Sequence, residues 1–162
     1  MPPKKPKGAP PNPKPAPRFR VCAVHEDVAE RLAGWLTEPS WCNAASDFQA
    51  MLDLVEEGDL EAAEVLLRSQ SRDVVGDGVC EYGKNQKGGT LRLFLLREHD
   101  SYFFLAAGLK KSNDGAVEIK PACARARAIK KMGKQSNLSD YKAQLGDKFR
   151  VTVIRTPPGN TQ

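Results

Sequence analysis

The chain has 162 residues, a formal net charge of +5 and four cysteines, and 40% of its residues are hydrophobic. This length fits one domain with appendages better than two domains. No stretch approaches the roughly 18 apolar residues of a membrane helix, and no signal peptide is recognisable, so we expect neither a membrane location nor secretion. The cysteines are widely separated and form no CxxC pair, which predicts reduced thiols in a cytoplasmic protein and no metal site or other cofactor.

The charges are distributed unevenly along the chain. Residues 1–20 contain six basic residues and no acidic one. Residues 21–83 contain three basic residues against fourteen acidic ones, a net charge of −11, whereas residues 84–162 contain sixteen against six, a net charge of +10. Separation this strong predicts one acidic and one basic face, and the basic face is suited to a polyphosphate partner.

The two ends of the chain have almost nothing apolar to bury. Residues 1–17 are rich in proline and lysine, so we predict a flexible basic tail. Residues 157–162 are predicted to be a disordered end. Between them we expect a main domain over residues 18–135 and a C-terminal extension, a helix and a strand, over residues 136–156.

The acidic part of the chain predicts one strand followed by helices. Alternating apolar residues over 18–24 indicate the strand. Asp27 is a candidate N-cap for the first helix, and apolar residues at helical spacing continue from there. The predicted helices lie at 28–36, 44–57 and 60–68.

The basic part predicts a meander of strands and then further helices. Short polar connections suitable for hairpins separate three apolar stretches. The predicted elements are strands at 79–83, 90–97 and 101–109, a helix with Pro121 in its first turn, a short helix at 138–145 and a last strand at 148–155. The expected fold is α+β, with a small antiparallel sheet of three to four strands and helices packed on one side.

One segment has a recognisable pattern. Arg92 lies on the predicted central strand, the next strand ends in Gly-Leu-Lys-Lys at 108–111, and Glu-Ile-Lys-Pro-Ala at 118–122 begins a helix that contains Arg125. Upstream, residues 76–82 read GDGVCEY. Together these features resemble the RelE/HigB-like toxin superfamily, which are mRNA interferases of toxin–antitoxin systems. The resemblance covers roughly residues 45–135.

The resemblance implies a RelE-like fold and a metal-independent endoribonuclease that cuts mRNA on the ribosome and is neutralised by a cognate antitoxin protein. In such a reaction the 2′-hydroxyl of the RNA attacks the adjacent phosphate, so the protein must remove a proton, stabilise charge and protonate the leaving oxygen. The implied catalytic residues are Arg92, Lys110 and Lys111, with Glu81, Tyr82 and Tyr141 as candidates for proton transfer or base stacking. The candidate RNA contacts are Lys84, Lys87, Arg125, Arg127, Lys130, Lys131 and Lys134.

Each of these residues also has a structural interpretation. The Lys110-Lys111 pair can simply solvate the end of a strand, and Glu81 can serve as an ion-pair partner of Arg92. His25 and His99 are expected in surface or capping roles. Two alternative functions stay open: a non-catalytic RNA- or ribosome-binding protein of the same fold, and a DNA-binding or interaction adaptor that uses the basic face.

Overall fold

A computed structural model of the chain describes residues 19–70, 75–110 and 118–155. The predicted tail at 1–17, the predicted end at 157–162 and Lys111 lie outside these described residues. The elements are β1 (Val21–His25), α1 (Glu26–Leu36), α2 (Cys42–Glu57), α3 (Leu60–Gln70), β2 (Cys80–Gln86), β3 (Gly89–Glu98), β4 (Ser101–Lys110), α4 (Ile119–Met132), α5 (Leu138–Leu145) and β5 (Phe149–Val153). No helix in the described ranges is long and apolar enough to cross a membrane.

The described strands form one mixed sheet in the order β2-β3-β4-β1-β5. The antiparallel meander of β2, β3 and β4 was predicted. The rest of the sheet differs from the prediction, because β1 lies parallel to β4 and β5 pairs with β1 as a fifth strand. Parallel pairing of β1 with β4 is possible because a long stretch of chain, including three helices, separates them.

Helices cover both faces of the sheet, whereas the sequence predicted helices on one side. Helices α1, α2 and α3 pack on the face that includes Leu93 and Phe104, which we call the α1–α3 face. Helices α4 and α5 pack on the opposite face, which includes Phe94 and Phe103 and which we call the α4 face. The physical reason is β4, whose residues Ser101–Gly108 are all buried and therefore need cover on both sides. The α+β class itself is confirmed.

Helix α1 begins two residues earlier than the predicted cap implies. His25, not Asp27, is the N-cap, and its Nδ1 accepts a hydrogen bond of 3.0 Å from the Asp27 backbone N–H. The Asp27 carboxylate instead lies 2.7 Å from Arg125 Nη2 on α4. The interaction therefore joins the start of α1 to a helix on the other side of the sheet.

A bulge in β4 helps to hold α4 on the sheet. Phe94 pairs with Ala106 and Leu95 with Phe104, so Leu105 is an extra residue in β4. Its carbonyl oxygen accepts a hydrogen bond of 2.6 Å from Arg125 Nη1. Bulges leave backbone groups outside the regular ladder, and here a side chain of α4 satisfies one of them.

Charged and hydrogen-bonding side chains connect α3 to the adjoining ends of β3 and β4 on the α1–α3 face. Arg97 Nη1 lies 2.7 Å from Glu64 Oε1, and the Tyr102 hydroxyl also donates to this carboxylate. Burial raises the pKa of Tyr102, and the hydrogen bond to Glu64 raises it further. Tyr102 therefore stays protonated and acts as a donor.

The four cysteines are free thiols. Cys22 is buried on β1, and burial strongly raises the pKa of its thiol. The other three side chains, Cys42, Cys80 and Cys123, are half-buried. Cys22 is therefore a packing residue and not a reactive thiolate.

Because β4 lies at the centre of the sheet, Phe104→Ala should lower the free energy of unfolding by about 3–5 kcal/mol. Phe104 is fully buried, whereas Val65 on α3 is 60% exposed. Val65→Ala is the control and should change stability by no more than about 0.5 kcal/mol. Urea denaturation followed by circular dichroism measures both values, and equal effects for the two variants would contradict the packing described here.

Candidate functional site

Arg92 is a charged residue inside the sheet. Its neighbours Leu91 and Leu93 face α1–α3, so by strand alternation Arg92 lies on the α4 face. Only 7% of the residue is exposed, and its Nη1 lies 3.6 Å from Oε1 of the buried Glu81. The Nε of Arg92 is buried and has no hydrogen-bond partner among the described residues. Such an unpaired donor typically costs about 1–3 kcal/mol, so the site favours an additional acceptor.

Two glycines flank this arginine across the sheet. Gly83 on β2 and Gly108 on β4 are the cross-strand partners of Arg92. The row across β2, β3 and β4 is therefore Gly-Arg-Gly. Since neither partner has a side chain, other groups can approach the backbone closely on both sides of the arginine, and this is a common reason for glycine within a strand.

Glu118 and Lys110 complete the charged surroundings of Arg92. Glu118 is the N-cap of α4, but its side chain makes no capping hydrogen bond. Its carboxylate lies over Gly108, where it would overlap any Cβ added at that position. Lys110 is half-buried, two residues beyond Gly108 and on the same face of β4. We call this group, Glu81, Gly83, Arg92, Gly108, Lys110 and Glu118, the arginine site.

The N-terminus of α4 adds to the positive potential of the arginine site. The first backbone N–H groups of a helix have no partner within the helix, and the helix dipole attracts anions there. Ile119 and Lys120 carry such N–H groups, whereas Pro121 has none. Together with Arg92 and Lys110, these donors can accommodate an anionic oxygen.

Three of the residues predicted to be catalytic, Arg92, Glu81 and Lys110, are thus close together in the fold. Tyr82 and Tyr141 are not part of this group. Tyr82 is buried on the α1–α3 face with its ring centre 5.0 Å from that of Phe48, and burial raises its pKa. Tyr141 is buried on α5, where its ring packs against Phe19. Both tyrosines therefore contribute to the interior and not to the arginine site.

Lys84 and Lys87, two of the predicted RNA contacts on β2 and its turn, lie in different surroundings. Strand alternation places Lys84 on the α1–α3 face, where its Nζ lies 3.0 Å from Asp47 Oδ2 on α2. Lys87 is exposed in the turn between β2 and β3. Of the two, Lys87 is the more accessible to a partner.

The predicted contacts on α4 also divide into two groups. Arg125 is bound to Asp27 and to the Leu105 carbonyl, and Arg127 Nη1 lies 2.7 Å from Asp77 Oδ2. The lysines of this region are exposed: Lys130, Lys131 and Lys134. The arginines thus act mainly as structural links, while the lysines present positive charge to solvent.

Sequence reasoning missed the roles of Gly83, Gly108 and Glu118. Their importance depends on strand register, which places the two glycines opposite Arg92. A signal was present, because a glycine within a strand often marks a close approach by another group. The sequence alone does not identify the group that approaches.

A cavity of about 460 Å³ lies between α4, α5 and the start of β5. Its lining is mainly apolar and consists of Arg125, Ala128, Ile129, Lys131, Met132, Gln144, Leu145 and Phe149. Since two nitrogens of Arg125 already bind protein oxygens, this cavity is a weaker anion site than the arginine site. Within the described ranges, no group of three or more His, Cys, Asp or Glu side chains is placed to hold a metal ion.

The start of α1 carries a pH-sensitive group. Burial lowers the pKa of His25, and the positive charge of Arg125 lowers it further. At Asp27, burial opposes ionisation, but the hydrogen bond and charge of Arg125 outweigh it and hold the carboxyl pKa below its usual range. A neutral His25 can keep its Nδ1 as the hydrogen-bond acceptor of the cap.

Glu118 explains why position 108 is a glycine, and this can be tested by substitution. Gly108→Ala should destabilise the protein by about 1 kcal/mol, since the new methyl group would overlap the Glu118 carboxylate and force this flexible side chain to move. Adding Glu118→Ala should restore part of the loss. The control is Gly34→Ala, at an open position within α1, which should be neutral or stabilising by up to about 1 kcal/mol. An additive double variant in urea denaturation would contradict the contact.

The cap of α1 predicts a loss of stability in mild acid. Because folding lowers the pKa of His25 below its ordinary value of 6.5, the unfolded chain binds more protons as the pH falls through this region. Stability should therefore fall as the pH decreases from about 7.5 to about 5.5, the range in which histidine titrates. His25→Asn keeps a capping side chain without this titration and should show a smaller dependence. Thermal unfolding across this range measures the difference, and identical slopes would exclude His25 as the cause.

Comparisons of the chain with protein-family models, curated proteins and solved structures find no match.

Proposed function

We propose that this chain is a metal-independent endoribonuclease of the RelE/HigB-like type, which binds single-stranded RNA on the α4 face and cuts it at the arginine site. The observation that carries the proposal is Arg92, a buried guanidinium with an unpaired Nε, lying between two glycines. The non-catalytic RNA-binding alternative uses the same site without cleavage.

The ion pair of Arg92 leaves hydrogen-bonding capacity for a phosphate. Its contact with Glu81, at 3.6 Å, is longer than the usual 2.7–3.2 Å of an N–H···O hydrogen bond. A guanidinium binds two oxygens of one phosphate in a planar, bidentate manner. Lys110 and the N-terminus of α4 add positive charge on the same side.

The reaction proposed is an internal transesterification. The 2′-oxygen loses its proton to a base and forms a bond to phosphorus, while the bond from phosphorus to the 5′-oxygen breaks and that oxygen takes up a proton. Arg92 would stabilise the additional negative charge on the phosphate as it develops. Glu81 can accept a proton and Lys110 can donate one, so the site contains both kinds of group.

The exposed lysines suggest the course of the bound strand. Helix α4 has 14 residues and is about 21 Å long, so it can follow several nucleotides from the arginine site. Lys130 and Lys131 lie in its last turn and Lys134 lies just beyond its end, so these lysines would contact phosphates without reading sequence. The family resemblance further suggests mRNA on the ribosome as substrate and a separate antitoxin protein as partner.

Cleavage of end-labelled RNA, both alone and on translating ribosomes, tests the proposal. The wild-type chain should produce 2′,3′-cyclic phosphate ends in both cases, and with RNA alone it should do so in the presence of EDTA. Arg92→Lys, which keeps the charge and loses the planar donors, should reduce the rate by about 10²–10³-fold. The double variant Glu81→Gln/Arg92→Gln removes both charges of the buried pair together and should be inactive, while Arg31→Gln, on the exposed side of α1, should cleave normally.

Three results would count against nuclease activity at this site. Cleavage by the Glu81→Gln/Arg92→Gln variant at the wild-type rate would exclude the arginine site. Cleavage of an all-deoxy strand would exclude the 2′-hydroxyl as nucleophile. RNA binding without any cleavage, by protein that is folded according to circular dichroism, would favour the non-catalytic alternative.

A further inference from the structure

Glu118 has an unusual position for a residue at the start of a helix. A glutamate there commonly interacts with the N-terminal N–H groups of its own helix, but this side chain makes no capping hydrogen bond. Its carboxylate extends over the bare backbone of Gly108 instead. The glycine is needed for this arrangement, because any larger residue would overlap the carboxylate.

The space that Glu118 fills lies over Gly108, the cross-strand partner of Arg92. Gly108 and Arg92 are direct cross-strand partners, and Cβ positions in such pairs are about 4.5–5.5 Å apart. An anionic group therefore already lies over the strand next to Arg92, on β4, whereas Glu81 lies on β2, the other neighbour of β3. At Gly83, the other cross-strand partner of Arg92, an added Cβ would make only ordinary contacts, the shortest 3.5 Å to Thr90, so of these two glycines Gly108 alone would meet an overlap.

A carboxylate and a phosphate would compete for this position. Both are anions with oxygen acceptors, and both are favoured near arginine and a helix N-terminus. Glu118 is half-buried and its side chain has no capping bond to hold it, so it can rotate out towards solvent. The backbone of Gly108 would then be open to the incoming group.

We infer that Glu118 holds the place of the substrate phosphate, and that RNA binds by displacing this carboxylate from the space over Gly108. The inference rests on the proposed function and identifies Glu118 as the residue that sets the affinity of the arginine site. In the unbound chain the carboxylate balances the charge of the site. When RNA binds, its phosphate replaces the Glu118 carboxylate. An anion that cannot displace this carboxylate is therefore bound more weakly.

The test measures affinity separately from cleavage. The probe is a fluorescein-labelled single-stranded oligonucleotide of RNA with 2′-deoxy sugars at the cleavable positions, titrated with full-length protein by fluorescence anisotropy. Glu118→Gln should bind it about tenfold more tightly than wild type, within the range typical of coupling between two sites. Glu38→Gln, an exposed position before α2, removes the same charge and should leave the affinity unchanged.

Two further measurements locate the effect. Inorganic phosphate should compete with the probe at lower concentration for Glu118→Gln than for wild type. Adding Glu81→Gln/Arg92→Gln to the Glu118→Gln chain should abolish the gain, and thermal unfolding verifies that each variant is folded. A gain of the same size in Glu38→Gln would mean that only the net charge matters and would overturn the inference.

The outcomes separate this inference from the proposed function. If wild type cleaves RNA in an Arg92-dependent way but Glu118→Gln binds no more tightly, the displacement is wrong and the nuclease proposal stands. If neither wild type nor Glu118→Gln binds the probe or phosphate, the arginine site is not a phosphate site and both ideas fail.

Discussion

The burial of β4 on both faces is the constraint on which the rest of the structure depends. This strand lies between β3 and β1, and its residues from Ser101 to Gly108 are buried. Apolar residues on both faces require a layer of helices on each side. Three helices supply one layer and two supply the other, so the arrangement of the described helices follows from the composition of a single strand.

The arginine site lies on the α4 face, at the point along β3 where the apolar core residues end and charged residues begin. On the α4 face, Phe94 and Leu96 of β3 belong to the apolar core, whereas Arg92, two residues before Phe94 on the same face, is the buried charge. Removing an arginine from water is costly, and a single ion pair at 3.6 Å compensates only in part. The cost of keeping such a group in the core is offset best when a bound ligand supplies hydrogen-bond acceptors for it.

Sequence reasoning predicted the individual helices and strands better than it predicted which of them lie side by side. The helix at 138–145 and the meander of three strands have local signals, namely apolar spacing and short polar turns. The parallel pairing of β1 with β4 has no such signal, because it joins segments far apart in the chain. Asp27 was expected as a cap because aspartate is a common N-cap, but its carboxylate is bound to Arg125 on a distant helix.

Only part of the candidate site was predicted, because the rest depends on which distant segments lie side by side. Arg92 was notable in the sequence because it interrupts an apolar strand. Its two glycine neighbours and Glu118 became evident only from the register of the sheet and the position of α4. Tyr82 and Tyr141 had the chemistry of site residues, but which face they lie on and how deeply they are buried depend on packing that the sequence does not specify.

The Nε–H group of Arg92 offers the most direct test of the central claim, that the arginine site receives an RNA phosphate. Its signal in a ¹H–¹⁵N correlation spectrum can be followed while a non-cleavable single-stranded RNA is added. We predict a saturable shift of this signal together with the backbone amides of Ile119 and Lys120. The account would be contradicted if these signals stayed fixed while RNA bound and shifted residues elsewhere.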